Sequence, residues 1–284
     1  MQCFDFFLQS SDKLLHTGLL VARSFRLHHS QEERSFIVEH LLEICVDSLE
    51  SALAAQKGGA DRLELCANLI IGGTSPCPAL IHQVQEAIDI PVNVLLRPRF
   101  GDFCFTPAEQ DAIVWEVKTC RQMGVNGVVL GGLTPEGRLD HALLSRCINA
   151  AGPSLHCTLH RAFDLCRDPF EALEDAIALG FDTILTSGQQ AKAETGIHLL
   201  AQLIEKANGR ISILAGSGVN PENMPALAAA GVRQFHFSAK KPAASPMIFR
   251  REGVPMGLAV ADEYLREYTD AQLVAQAKAV LRAL

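Results

Sequence analysis

Ionisable residues spaced two apart recur inside otherwise apolar runs of this chain. LLEICVD carries Glu43, Cys45 and Asp47 at alternate positions, RLELCA carries Arg62, Glu64 and Cys66, and VNVLLRPRF carries Arg97 and Arg99. LHCTLHRAFD adds His156, Thr158 and His160, with Asp164 at its end, and RQFHFSAK adds His236, Ser238 and Lys240. Side chains of a strand alternate between its two faces, so the members of each set share a face. A charge buried alone in such a strand costs several kcal/mol, so these residues must pair with one another or meet a ligand. Arg97 and Arg99 together can clamp a carboxylate or phosphate. His160 or His236 can serve as acid and base, with Glu43, Glu64 or Asp164 orienting or abstracting a proton. A structural network of Glu43, Glu64 and Asp164 against Arg97, Arg99 and Arg161 uses the same residues, and both readings stay open.

Two further groupings carry chemistry. In LAGSGVNPEN, Gly216, Ser217 and Gly218 let backbone amides approach an anion, and a helix opening at Asn220-Pro221 would aim its positive end at the same place. Ser187 of TILTSG and Ser238 would supply neighbouring walls of this anion site. For a soft metal such as copper(I), the inward thiols Cys45 and Cys66 on successive strands are the candidate ligands, although a buried thiol also serves as a small apolar residue.

The elements that must position these groups alternate regularly. Strands are expected over Leu41–Asp47, Arg62–Ala67, Val92–Pro98, Gly127–Gly132, Leu155–Asp164, Thr183–Gly188, Ile211–Gly218 and Arg233–Lys240, with segments of helical period between them. Asp168-Pro169 and Asn220-Pro221 begin helices that close at Gly180 and Gly231, and a final helix is expected over Asp270–Leu284. Eight alternations, with no GxGxxG turn after the first strand, predict a single parallel (β/α)8 TIM barrel over residues 41–284 instead of an open doubly wound sheet. Its C-terminal mouth is then where the polar side chains gather. Lys241 to Tyr268 reads as a long loop over one face. Residues 1–40 show no period that continues into the barrel and read as a poorly ordered N-terminal extension.

Composition narrows the function classes. A net charge of -7 and the absence of a basic stripe argue against nucleic acid as a partner. No apolar run approaches the roughly 18 to 20 residues that span a bilayer, which argues against a membrane partner. Nine scattered cysteines with no CxxC pair read as reduced thiols in the cytoplasm. The remaining partners are a small molecule or a metal ion, and a homo-oligomer is expected from the frequency of symmetric association.

The motifs LEICVDSLESA, GADRLELCANLIIGGTSP, LLRPRFGDFCF, GVVLGGLTPEGRLD, TLHRAFD, ILTSG and FHFSA together resemble the CutC family from about Leu42 to Lys240. The resemblance implies a (β/α)8 fold and a cytosolic protein of copper homeostasis that binds copper(I). It also implies that Glu43, Asp47, Glu64, Arg97, Arg99, His160, Arg161, Asp164, His236 and Ser238 are the shared polar residues of the mouth. The arginines of that mouth favour an anion over a cation, so an enzyme acting on a small phosphate- or carboxylate-bearing substrate stands beside the copper reading.

Overall fold

A computed structural model describes residues 40–254, 256–257 and 262–284. The expected extension over residues 1–40 falls outside these except for His40. Eight parallel strands close into a barrel in chain order: β1 (Leu41–Val46), β2 (Arg62–Leu65), β3 (Val92–Leu95), β4 (Gly127–Leu130), β5 (His156–Leu159), β6 (Thr183–Thr186), β7 (Ser212–Ala215) and β8 (Gln234–Phe237). Helices α1 (Leu49–Gly58), α2 (Pro78–Ala87), α3 (Pro107–Met123), α4 (His141–Ala151), α5 (Pro169–Leu179), α6 (Ile197–Ala207) and α7 (Met224–Ala229) lie between them. The eighth helix, α8 (Ala271–Arg282), follows a two-stranded antiparallel ribbon of β9 (Lys240–Ala244) and β10 (Leu265–Thr269). The segment expected to be a plain loop therefore contains this ribbon, and its far end exposes Met247, Ile248 and Phe249.

Local chemistry sets the element boundaries. Thr106 accepts the Glu109 N–H while Glu109 accepts that of Thr106, a reciprocal cap for α3. Asp168 and Asp270 accept amides in the first turns of α5 and α8. The seventh helix begins at Met224 and not at Asn220, because the Asn220 side chain accepts the N–H groups of Glu222 and Asn223 and holds them in a turn.

Strand parity divides the barrel in two. Leu42, Ile44, Val46, Leu63, Leu65, Val94, Val128, Leu130, Leu159 and Phe235 are fully buried against the helices or nearly so. The opposite parity points inward, and there Glu43, Arg62, Glu64, Asn93, Thr158, Thr183 and His236 are buried too. The inner layers of a parallel barrel are usually branched apolar residues, so this interior is unusually polar.

Candidate functional site

The register of the first, second and eighth strands creates the most highly charged cluster. Glu43 stands opposite Arg62 on one side and His236 on the other, and Cys45 stands opposite Glu64. Arg62 Nε donates to Glu43 Oε2 at 2.5 Å, and His236 Nδ1 lies 2.8 Å from Glu43 Oε1. His236 Nε2 is 3.7 Å from Glu64 Oε2. One donor atom each from Cys45, Glu64 and His236 lie within 4.8 Å of one another, all buried.

Environment drives the two carboxyls apart. Burial alone would raise Glu43, but Arg62 and His236 overcome it and hold the group down to about 2. Glu64 accepts no hydrogen bond from either: burial, with the neighbouring Glu43 charge, pushes it up to about 7 against the opposing pull of His236 and Arg62. Burial would also lower His236, yet Cys45, Glu64 and Glu43 around it raise it well above its ordinary value. Cys66 differs from Cys45. Its thiol faces the Val46 carbonyl at 3.3 Å, and burial with the Glu64 charge raises it well above the usual thiol range.

Cys45, Glu64 and His236 of this cluster line a cavity of about 710 Å³ at the C-terminal end of the barrel, which also has Arg97, Phe103, His160, Arg161, Asp164 and Lys240 in its wall. His160 fits because residue 131 is glycine, since a Cβ there would approach the imidazole to 2.6 Å. Phe103, which the sequence reading passed over, stacks on both neighbours, 4.9 Å from the Arg97 guanidinium and 4.8 Å from the His160 ring. The aromatic FGDFCF run after Arg99 was its only signal.

The expected Arg97–Arg99 clamp is not formed. Pro98 follows the third strand, and Arg99 turns to the third helix, donating to Glu109 Oε1 at 2.7 Å and to Asp102 Oδ1 at 3.2 Å, outside the cavity wall. Asp164 reaches the cavity, but its acceptors are filled. Arg161 Nε, Thr186 Oγ1 and the amides of Ser187 and Gln189 all donate to it. Glu43 belongs to the layer beneath the cavity, where it pairs Arg62 and His236 without itself lining the wall.

The expected anion site is also dispersed. Ser217, Gly218 and Ser238 line the cavity, whereas Ser187 is locked to Asp164 and Gly216 packs where a Cβ would meet Leu185 at 2.5 Å. The Ser217 hydroxyl donates to the Ala191 carbonyl, and Asn220 already occupies the amides that a helix start would have offered. Arg62, the partner of Glu43, was visible beside Glu64 in the sequence, but only the register shows which carboxylate it meets.

Fold and site together define a (β/α)8 barrel whose polar interior opens into a ligand-sized cavity at the strand ends. The profile of the CutC family matches residues 40–241, and the chain belongs to that family. A CutC family protein of Chromobacterium violaceum is 47% identical over 238 residues, covering 84% of this chain and 96% of that protein. A copper homeostasis protein cutC homolog of Homo sapiens is 39% identical over 244 residues, covering 85% and 89%. The crystal structure of a CutC protein from Streptococcus agalactiae superposes with a TM-score of 0.67 at 30% identity, covering 70% of this chain and 98% of that one. An aldolase barrel, at 14% identity and a TM-score of 0.52, shares the fold alone.

Proposed function

We propose that this protein binds copper(I) at the floor of the barrel cavity through Cys45 and His236, as part of copper homeostasis. The observation that carries this reading is the convergence of Cys45 Sγ, a Glu64 carboxyl oxygen and a His236 nitrogen within 4.8 Å in a buried position. Copper(I) favours thiolate and imidazole, and this donor set offers one of each. The His236 ring is oriented for such a role: Nδ1 faces the Glu43 carboxylate at 2.8 Å, the usual outer-shell support of a ligating histidine, and a metal at Nε2 would displace the proton that the raised His236 carries there. Glu64 is a hard donor and is held largely protonated below about pH 7, so it is the weakest of the three for copper(I).

The relatives named for copper homeostasis support the same reading, as do the free thiols of all eight described cysteines, which suit a reducing cytoplasm. Among the described residues no helix is long and apolar enough to cross a membrane. Association into a homo-oligomer belongs to the same proposal, with the exposed Met247, Ile248 and Phe249 as candidate contacts.

The test is a competition titration of the full chain against a copper(I) chelator. Cys45→Ser is expected to weaken binding by roughly a hundredfold or more, and Glu43→Gln, which loosens the ring support, by about tenfold. Unchanged affinity after replacing both Cys45 and Cys66 overturns the reading.

A further inference from the structure

Arg97 stands apart from the other arginines near the mouth. Arg62 is paired by Glu43, Arg99 by Glu109 and Asp102, and Arg161 by Asp164. Arg97 is only 8% exposed, and among the described residues no carboxylate comes within ion-pair distance of it. Its Nη1 donates to the Gly72 and Gly73 carbonyls, both at 3.2 Å, and its Nη2 to the Gly101 carbonyl at 2.9 Å. Those oxygens take up hydrogens but bring no negative charge, and Arg97 Nε has no partner. A cation buried without an anion is costly, so the site is electrostatically incomplete.

His160 shares the cavity wall with it. The Ala162 N–H donates to His160 Nδ1 at 3.1 Å, which places the ring proton on Nε2. Burial and the Arg97 charge push this histidine down to about 3, so at neutral pH it is an uncharged donor. Nε2 is buried and unpartnered. The Phe103 ring lies against both side chains. Thus two residues of the cavity wall each hold a buried nitrogen with no hydrogen-bond partner, and one of them carries an uncompensated positive charge.

We propose that the cavity binds a small organic carboxylate, its two oxygens received by the Arg97 guanidinium and the His160 Nε2–H, with its carbon skeleton lying against Leu95, Leu165 and Val219. Two donors and one positive charge match a carboxylate's two oxygens and one negative charge. Phosphate fits less well, since the amides at Glu222 and Asn223 that could add donors are taken by Asn220. The volume supports an organic ligand as well: about 710 Å³ lies in the range of small-molecule sites, whereas a lone metal ion would leave most of it to water. The subsite uses neither Cys45 nor His236, so it stands or falls apart from the copper reading.

Saturation-transfer NMR on the chelator-treated full chain tests this, with pyruvate, succinate and citrate as probes and acetamide and inorganic phosphate as controls. At least one of the carboxylates is expected to saturate at millimolar concentration or below. His160→Phe, which keeps a ring against Phe103 but removes the donor, should weaken that binding by about tenfold or more. His160→Gln, whose amide N–H replaces the Nε2–H, should stay within about twofold of the parent. No saturable carboxylate binding up to about 20 mM, saturation by phosphate alone, or undiminished binding by His160→Phe each overturns the proposal.

Discussion

Two buried acidic clusters lie at the mouth of this barrel, and they differ in how completely their polar atoms are used. Around Asp164, Arg161 and Thr186 and the amides of Ser187 and Gln189 fill the carboxylate's acceptors. Around Glu64, one carboxyl oxygen has no partner, Arg62 Nη2 has none, and a group near 7 sits close to one near 2. The two carboxylate side chains are about equally enclosed, 5% exposed at Asp164 and 6% at Glu64, although Arg161 is 42% exposed and Arg62 only 10%. A satisfied network fixes a loop, whereas an unsatisfied one retains capacity for something else to bind.

The sharpest way to break this contrast is to remove Asp164. Asp164→Ala leaves several donors without their acceptor beside a partly exposed Arg161, and a loss of about 2–3 kcal/mol is expected in denaturant unfolding. A loss below about 1 kcal/mol would show that the sixth-strand loop does not depend on this carboxylate. A smaller effect should come from acid. The His160 value of about 3 lies below the ordinary 6.5, so between those values the unfolded chain binds a proton that the folded one refuses. Its contribution is therefore complete above about pH 6.5 and is lost as pH falls toward 3. His160→Gln should flatten that part of the stability-versus-pH curve, and an unaltered curve would remove His160 as its source.

The smallest effect is expected at Glu64. Below its value of about 7 the carboxyl is neutral, so Glu64→Gln at pH 6 exchanges one neutral group for another of similar shape. A change within about 1 kcal/mol should result. Since the folded-state value lies above the ordinary one, the parent should lose stability as pH rises from about 4.5 to about 7, and the variant should not. A large loss in Glu64→Gln at pH 6 would place Glu64 with Asp164 among the satisfied carboxylates.

Much of the fold was legible because strands of alternating parity and helices framed by Asp, Pro and Gly repeat along the chain. All eight barrel strands fall inside their expected ranges, and Asp168 and Gly180 bracket α5 as read. Asn220 misled because the same side chain that can cap a helix also makes a turn, and here the turn won. The ribbon escaped notice because Pro242 and the short KKPAA and LREYT runs carry little strand signal. At the site, parity correctly turned Glu43, Cys45, Glu64 and His236 inward. Partnership was not readable, because whether Glu43 meets Arg62 or Arg97 depends on which residues the register sets side by side. Arg99 shows the converse: it shares parity with Arg97 yet lies beyond Pro98, where the chain has left the sheet.

The ring is completed by partners from opposite ends of the barrel sequence. Glu43 meets His236 across 193 positions, Ser51 Oγ accepts the Thr269 amide across 218, and Lys278 reaches Asp61 across 217. The most chemically loaded pair of strands is thus also the seam that joins the two ends of the barrel sequence. Until that seam joins, Glu43 and His236 are held apart, so His236 lacks its orienting carboxylate and the Cys45–Glu64–His236 cluster does not exist. Assembly of the barrel and assembly of its reactive corner are one and the same event.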